Sequence, residues 1–407
     1  MEIIHTNNIK YPGDSHFEVV ERKGIGHPDT VADALAERIS VEYSKYCLEH
    51  FGVVLHHNVD KVSVLGGLVT MDWGKAKVLK PIRVLVNGRV SASFHNEAIP
   101  RKEIYEKAIK KQLSKSLPHL DTEKWLDIID NSTTYSKNPR WFNPQNLGDL
   151  PDYSNAFAND TSAVVSYWPL TSSEQLALKL EGYFYDNQQK PKFKEIGQDI
   201  KVMIVKNNKK YDITICVPFF CKYFDGPKSY LTRLHEIESS LIKFTKEQLG
   251  NNVEIDFKVN AQDQKKKQDG DTKSFYFVTT GGALDFGEEG IVGRGNNRLG
   301  VIPSFRPYSM EAAPGKNPVY HVGKVLGFVA DELAKAIANN LKCNTEVWII
   351  TRIGDPIFEP NNVIVNTSKG VKQTNVNEIV RSILKRRDWI ERIVYQNALI
   401  PRTGNLY

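Results

Sequence analysis

Gly293-Arg-Gly-Asn-Asn-Arg-Leu-Gly300, then Ser304-Phe-Arg-Pro-Tyr-Ser-Met-Glu-Ala-Ala-Pro-Gly-Lys-Asn-Pro318 and His321-Val-Gly-Lys324, form the stretch on which the reading of this 407-residue chain turns. Five cations (Arg294, Arg298, Arg306, Lys316 and Lys324) alternate with five glycines, and little helix or strand character shows before about residue 320. Glycine lets backbone N–H groups approach a ligand closely, and Arg and Lys supply donors for phosphate oxygens. A loop this long inside a compact domain is usually functional or disordered. Its apolar residues and abrupt passage into an amphipathic helix argue for order. A solvated loop that happens to be basic is the plainer alternative.

Outward from this loop, apolar spacing predicts helices over 28–47, 102–117, 172–184, 228–249, 321–341 and 376–398. Thr171 with Glu174 makes a capping-box start for the third. β-branched runs at 61–69, 82–86, 200–206, 211–217, 253–259, 275–280 and 346–352 read as strands. Asn207-Asn-Lys-Lys210 interrupts one pair as a hairpin turn would. Strand pairs followed by a long helix recur near 61–117, 200–249 and 253–341, without a sequence-level repeat. Sheets with helices on one face need the other covered, by each other or by a second subunit. Gln264–Lys273 reads as a solvated loop.

Composition bounds the function. The net charge of +6 arises from 54 basic and 48 acidic residues, too balanced for nucleic-acid binding to follow from charge. A local basic site for a small polyanion fits equally well. Cys47, Cys216, Cys221 and Cys343 show no CxxC spacing, so neither zinc nor a redox pair is indicated. The N-terminus lacks a signal-peptide pattern and no apolar run reaches the roughly 18 residues of a membrane span. A cytoplasmic protein with no membrane or nucleic-acid partner is expected.

A second signal is Glu21-Arg-Lys-Gly-Ile-Gly-His-Pro-Asp-Thr30. Pro28 suits the first helical position. His27 then stands at the helix entrance, where the dipole attracts anions. Asp29 can satisfy free N–H groups or face outward to hold a divalent cation. A structural N-cap and a ligand site remain alternatives for His-Pro-Asp. Lys23, the two glycines and the second glycine–cation loop suggest a polyphosphate held by cations and Mg²⁺. Neither GxxxxGK[ST] nor GxGxxG is present.

Together with Ala158-Asn-Asp-Thr-Ser162 and Gly197-Gln-Asp-Ile-Lys-Val-Met203, these segments resemble, in order across roughly residues 15–365, the archaeal-type S-adenosylmethionine synthetases (methionine adenosyltransferases). The resemblance implies an α/β (α+β) fold of three similar subdomains of mixed sheet plus helices. It implies one catalytic unit over 1–407, with approximate subdomains 1–130, 131–260 and 261–407 that exchange chain. It further implies a homodimer with active sites between subunits, ATP and L-methionine as substrates, two Mg²⁺ ions and usually K⁺. By the same resemblance His27 would hydrogen-bond the oxygen bridging C5′ and the α-phosphate. Lys201, Arg294 and Lys316 would clamp phosphates, and Asp29 would bind Mg²⁺. Lys23, Asp160, Asp199, Glu288, Arg298 and Lys324 would complete the ATP and substrate contacts.

Three departures from the family pattern fall where methionine and adenosine are expected. Asp130-Asn-Ser-Thr-Thr-Tyr-Ser-Lys-Asn-Pro-Arg-Trp-Phe142 replaces a Gly-Gln-Gly-Ser stretch, Pro314 replaces a small residue, and Glu288 replaces an aspartate. Tyr135, Trp141, Phe142, Tyr153 and Phe157 could line an altered pocket, or pack as ordinary core or interface residues.

Overall fold

The computed structural model describes residues 1–150, 156–263 and 275–404. Six long helices are α1 (Pro28–Phe51), α2 (Arg101–Ser116), α3 (Ser172–Gly182), α4 (Pro227–Leu249), α5 (Val322–Leu341) and α6 (Gln373–Leu384). They pack in consecutive pairs, α1 with α2, α3 with α4 and α5 with α6, one pair to each of three mixed sheets. Each sheet and its helices enclose a separate apolar core.

The first sheet runs in the order Leu126–Thr133, Ile82–Val90, Ser63–Leu65, Glu289–Ile291. The second runs Glu254–Val259, Lys210–Cys216, Lys201–Asn207, Phe17–Lys23, Ile302–Pro303. The third runs Glu2–Thr6, Asn362–Thr367, Thr345–Ile350, Ala163–Trp168. Every sheet therefore mixes segments far apart in the chain. The hairpin at 207–210 is present, with Asn207 opposite Lys210 and Asn208 in the left-handed region.

Three sequence expectations need correction. The unit anticipated at 253–341 is dispersed: Glu254–Val259 pairs in parallel with Lys210–Cys216 in the second sheet, whereas α5 packs on the third. Of 275–280, only Phe277–Val278 is paired, with Phe219–Phe220. The last helix stops at Leu384 instead of running to 398. Arg387 donates to the Leu384 and Arg386 carbonyls, and Arg386 pairs with Asp388. These side chains satisfy the helix end from outside and turn the chain so that Trp389 is buried against Phe328. Gln264–Lys273 and Tyr153 lie outside the described residues.

The helix-free face of the first sheet is open. Its register aligns Ile129, Leu85, Ser63 and Ile291 in one row, with Ile129 and Ile291 exposed. The opposite row, Ile128, Val84, Val64 and Gly290, faces the core. Gly290 is required there: a Cβ would lie 2.0 Å from the Pro28 carbonyl oxygen, so only glycine lets the start of α1 sit on this sheet. No described helix is long and apolar enough to cross a membrane.

Candidate active site

The two motifs meet at the start of α1. Along this helix Asp29, Asp33 and Glu37 recur every fourth residue, on one face of an otherwise apolar, nearly fully buried helix. Each accepts a backbone N–H from the glycine–cation segment or from the strand that leads into it. Asp29 takes Ile291 at 3.2 Å, Asp33 takes Gly293 at 2.8 Å and Glu37 takes Gly315 at 3.1 Å. The sequence reading assigned such glycine amides to phosphate. Gly293 and Gly315 instead spend theirs on α1, and this ladder orders a loop of little regular structure. Acids four residues apart on an apolar helix were the available signal for Asp33 and Glu37.

Three of the five loop cations are likewise committed inside the protein. Arg298 makes a bidentate pair with Asp331 at 2.9 and 3.1 Å and donates to the Val165 carbonyl. Arg306 forks onto Glu174, the capping-box acid of α3, at 2.9 Å to each oxygen. Lys324 is fully buried, 2.8 Å from Glu37. Neither Arg298 nor Lys324 lines the cleft described next. Lys316 is buried and donates to Glu311 at 2.7 Å, while Arg294 is exposed.

A cleft of about 520 Å³ is lined by His27, Asp199, Lys201, Cys216, Tyr276 and Glu288, among others. Gly26 brings the chain against its wall, since a Cβ there would lie 2.6 Å from the backbone of Gln198. His27 caps α1, its Nδ1 accepting Asp29 N–H at 3.2 Å, so the neutral ring carries its proton on Nε2. Burial, with the positive charges of Lys23 and Lys201, lowers its pKa to about 4, and the ring is neutral at pH 7. Lys201 is partly exposed and lies 3.1 Å from Glu21. Lys23 joins the two motifs, donating to Asp29 at 2.9 Å and to the Arg294 carbonyl at 2.8 Å.

Asp199 accepts from Tyr276 Oη at 3.0 Å and Ala283 N–H at 2.9 Å. Burial raises its pKa to about 7, and the charge of Glu288, exposed at the same cleft, adds to the rise. Asp33 is also raised to about 7, by burial and then by Asp29. No cluster of three metal-ligating side chains occurs among the described residues. A Mg²⁺ ion that arrives with phosphates takes only one or two protein carboxylates plus substrate oxygens, and needs no such cluster. Asp29, two residues after His27, is buried, with its oxygens accepting from Lys23 and the Ile291 N–H.

Asp160 and Lys316 belong to a different group. Asp160 is exposed on a loop whose Ser162 donates to Glu311 at 3.0 Å, the acid that holds Lys316. Neither lines the cleft within this chain. Of the departures, Glu288 faces the cleft. Pro314 does not: it lines a separate cavity of about 200 Å³ with Asp33, Arg298 and Tyr308. Phe142 is buried against His56 beneath Arg89, and Trp141 stacks on His56, which is ordinary packing. Tyr135 and Phe157 are exposed away from the cleft.

Three sheets, each with its own helix pair, and a cleft lined by a neutral histidine at a helix start, Lys201 and the acids Asp199, Asp263 and Glu288 define a mixed α/β protein with a small-molecule-sized site. The chain belongs to the S-adenosylmethionine synthetase (AdoMet synthetase) family, whose model matches residues 2–399. Its archaeal type is supported by S-adenosylmethionine synthases of Thermoplasma volcanium, 34% identical over 388 residues (93% of each chain), and Aeropyrum pernix, 36% identical over 358 residues (86% and 85%). An uncharacterized protein of Streptococcus pyogenes serotype M3 is 40% identical over 413 aligned residues, covering both chains completely. The fold is similar to that of an unusual S-adenosylmethionine synthetase from Campylobacter jejuni (TM-score 0.58, 15% identity, 96% and 95% coverage). The archaeal-type resemblance read from the motifs is borne out.

Proposed function

We propose that this chain transfers the adenosyl group of ATP to the sulfur of L-methionine, giving S-adenosylmethionine, phosphate and diphosphate. A thioether is a neutral nucleophile with no proton to lose, so attack on C5′ needs no general base. The S–C5′ bond forms as the C5′–O bond breaks and the triphosphate departs, to be hydrolysed by water. What the protein must supply is in-line positioning and stabilisation of charge on the leaving group.

The observation that carries this reading is His27. A neutral ring with its Nε2 proton available at a cleft shared with Lys201 can donate to the oxygen that leaves C5′. Lys201 and Arg294 neutralise the phosphates, and Asp29 holds Mg²⁺, which when bound offsets negative charge on the triphosphate. Asp199 and Glu288 serve the methionine and nucleoside side. Lys316 and Asp160, outside the cleft of their own chain, complete the cleft of a second copy in a homodimer. The open row at Ile129 and Ile291 is consistent with such pairing, and gel filtration with light scattering tests it.

The activity test is incubation of purified protein with ATP, Mg²⁺ and methionine, followed by chromatography for S-adenosylmethionine and phosphate products. Phosphate release without S-adenosylmethionine would refute the proposed reaction. Glu288 favours one second reading, an altered nucleophile, and the same assay run with other thioethers or amines in place of methionine decides it.

A further inference from the structure

Lys324 is fully buried, yet its bonds converge on the turn that carries Lys316. Its Nζ lies 2.8 Å from Glu37 Oε2 and donates to Ser40 Oγ at 3.1 Å. The same Glu37 oxygen accepts the Gly315 N–H at 3.1 Å, and Ser40 donates to the Lys316 carbonyl at 2.9 Å. Val59 N–H takes the Gly315 carbonyl at 2.9 Å, and Asn317 Nδ2 donates to the Leu55 carbonyl at 3.0 Å. His57, 2.8 Å from Ser40, is kept neutral with its pKa near 3, chiefly by burial and further by the Lys324 charge. Lys316 is thus gripped through its backbone from both sides, while its ammonium stays with Glu311.

A buried ion pair is weak support for stability, because desolvating two charges offsets most of their attraction. Aliphatic side chains would fill the α1–α5 contact at least as well. They could not accept the Gly315 N–H or donate to Ser40. We propose that Lys324, Glu37 and Ser40 form a bracket that fixes Lys316 for its polyphosphate contact. Lys324 is then a positioning residue acting through the Lys316 turn, and not a substrate ligand. This rests on Lys316 being a phosphate-side cation.

Two variants test the bracket. Ser40→Ala removes a single hydroxyl, and the double variant Glu37→Met/Lys324→Met exchanges the pair for apolar side chains of similar length. Both are expected to lose about a hundredfold in kcat, the scale of a misplacement of about 1 Å, while KM for methionine stays within about threefold. Leu333→Ala, in the α5 core, is the control: it lowers Tm and leaves kcat unchanged. The proposal is overturned if the double variant folds with near-normal kcat, or if Leu333→Ala loses kcat as the bracket variants do. Should the double variant fail to fold, Ser40→Ala decides alone, and normal kcat there is equally fatal.

Failure of the adenosyltransferase reading is separable. A wild type that makes no S-adenosylmethionine still reports on the bracket through its affinity for inorganic triphosphate in titration calorimetry. That affinity is expected to fall about tenfold in Ser40→Ala, the scale of one weakened charge-assisted contact. A wild type that binds neither ATP nor triphosphate removes both proposals.

Discussion

Asp33→Asn isolates the effect of one buried acid in the ladder that holds the glycine–cation loop. Asp33 is 4% exposed and accepts backbone N–H groups of Gly293 and Gly295, and burial, reinforced by Asp29, raises its pKa from 3.8 to about 7. A raised folded pKa means that the native state holds the proton more tightly. Its contribution is therefore full below about pH 4 and is lost as pH rises through 7. At about 1.4 kcal/mol per tenfold the loss comes to about 4 kcal/mol. Asparagine never ionises and avoids that loss. It keeps one oxygen for Gly293 but turns an N–H₂ toward the Gly295 amide, costing about 1–3 kcal/mol at every pH.

The variant is thus expected to be the less stable protein at about pH 4.5 and the more stable one at about pH 8, with the difference sweeping through about 3 kcal/mol. Unfolding entropy of about 2.1 cal/mol/K per residue over 407 residues converts that sweep to about 4 °C in Tm. Scanning fluorimetry of both proteins across this pH range measures it. The depressed histidines, His27 and His57, titrate in both proteins alike and cancel in the difference. A Tm difference that stays constant with pH would refute the claim that Asp33 is an acid with a strongly raised pKa.

His27→Asn is expected to cut kcat for S-adenosylmethionine by about 10²–10³ with little change in ATP affinity, since it removes a donor aimed at developing charge; unchanged turnover in a stopped assay would discard its role. Arg294→Ala and Arg298→Ala should part company. The first, exposed, loses ATP turnover at wild-type Tm, whereas the second strands buried Asp331 and destabilises by about 3–5 kcal/mol, read as a Tm drop. Glu288→Asp shortens the acid at the cleft by one methylene and should shift KM for methionine or change nucleophile preference in steady-state assays, leaving triphosphate affinity alone; an effect confined to triphosphate would misplace Glu288.

Parts of the site were legible in the chain. Pro28 after His27, the spacing of Lys201 after Asp199, and the order of the motifs marked the family and the cleft. Local rules suffice there, because a helix start needs only its own few residues. The pair Thr171 and Glu174 was equally readable as a cap, with both hydrogen bonds formed at 2.7 and 3.1 Å. What the pattern missed were strands such as Glu2–Thr6 and Phe17–Lys23. Their partners, Asn362–Thr367 and Lys201–Asn207, lie far along the chain, and half-polar composition does not mark them.

The amino-acid sequence by itself determined the family, the six helices to within a few residues except at the last, and a set of candidate phosphate cations. Only the tertiary structure decided which of them are paired inside the protein and which is exposed. Arg306, Arg298 and Lys324 look alike with Arg294 and Lys316 in the loop, but Glu174, Asp331 and Glu37 reach the first three from separate helices, Glu311 holds Lys316 from within the loop, and Arg294 is left exposed. A cation's availability depends on which carboxylate lies within hydrogen-bond range once three separate cores have packed, and no spacing along the chain encodes that distance.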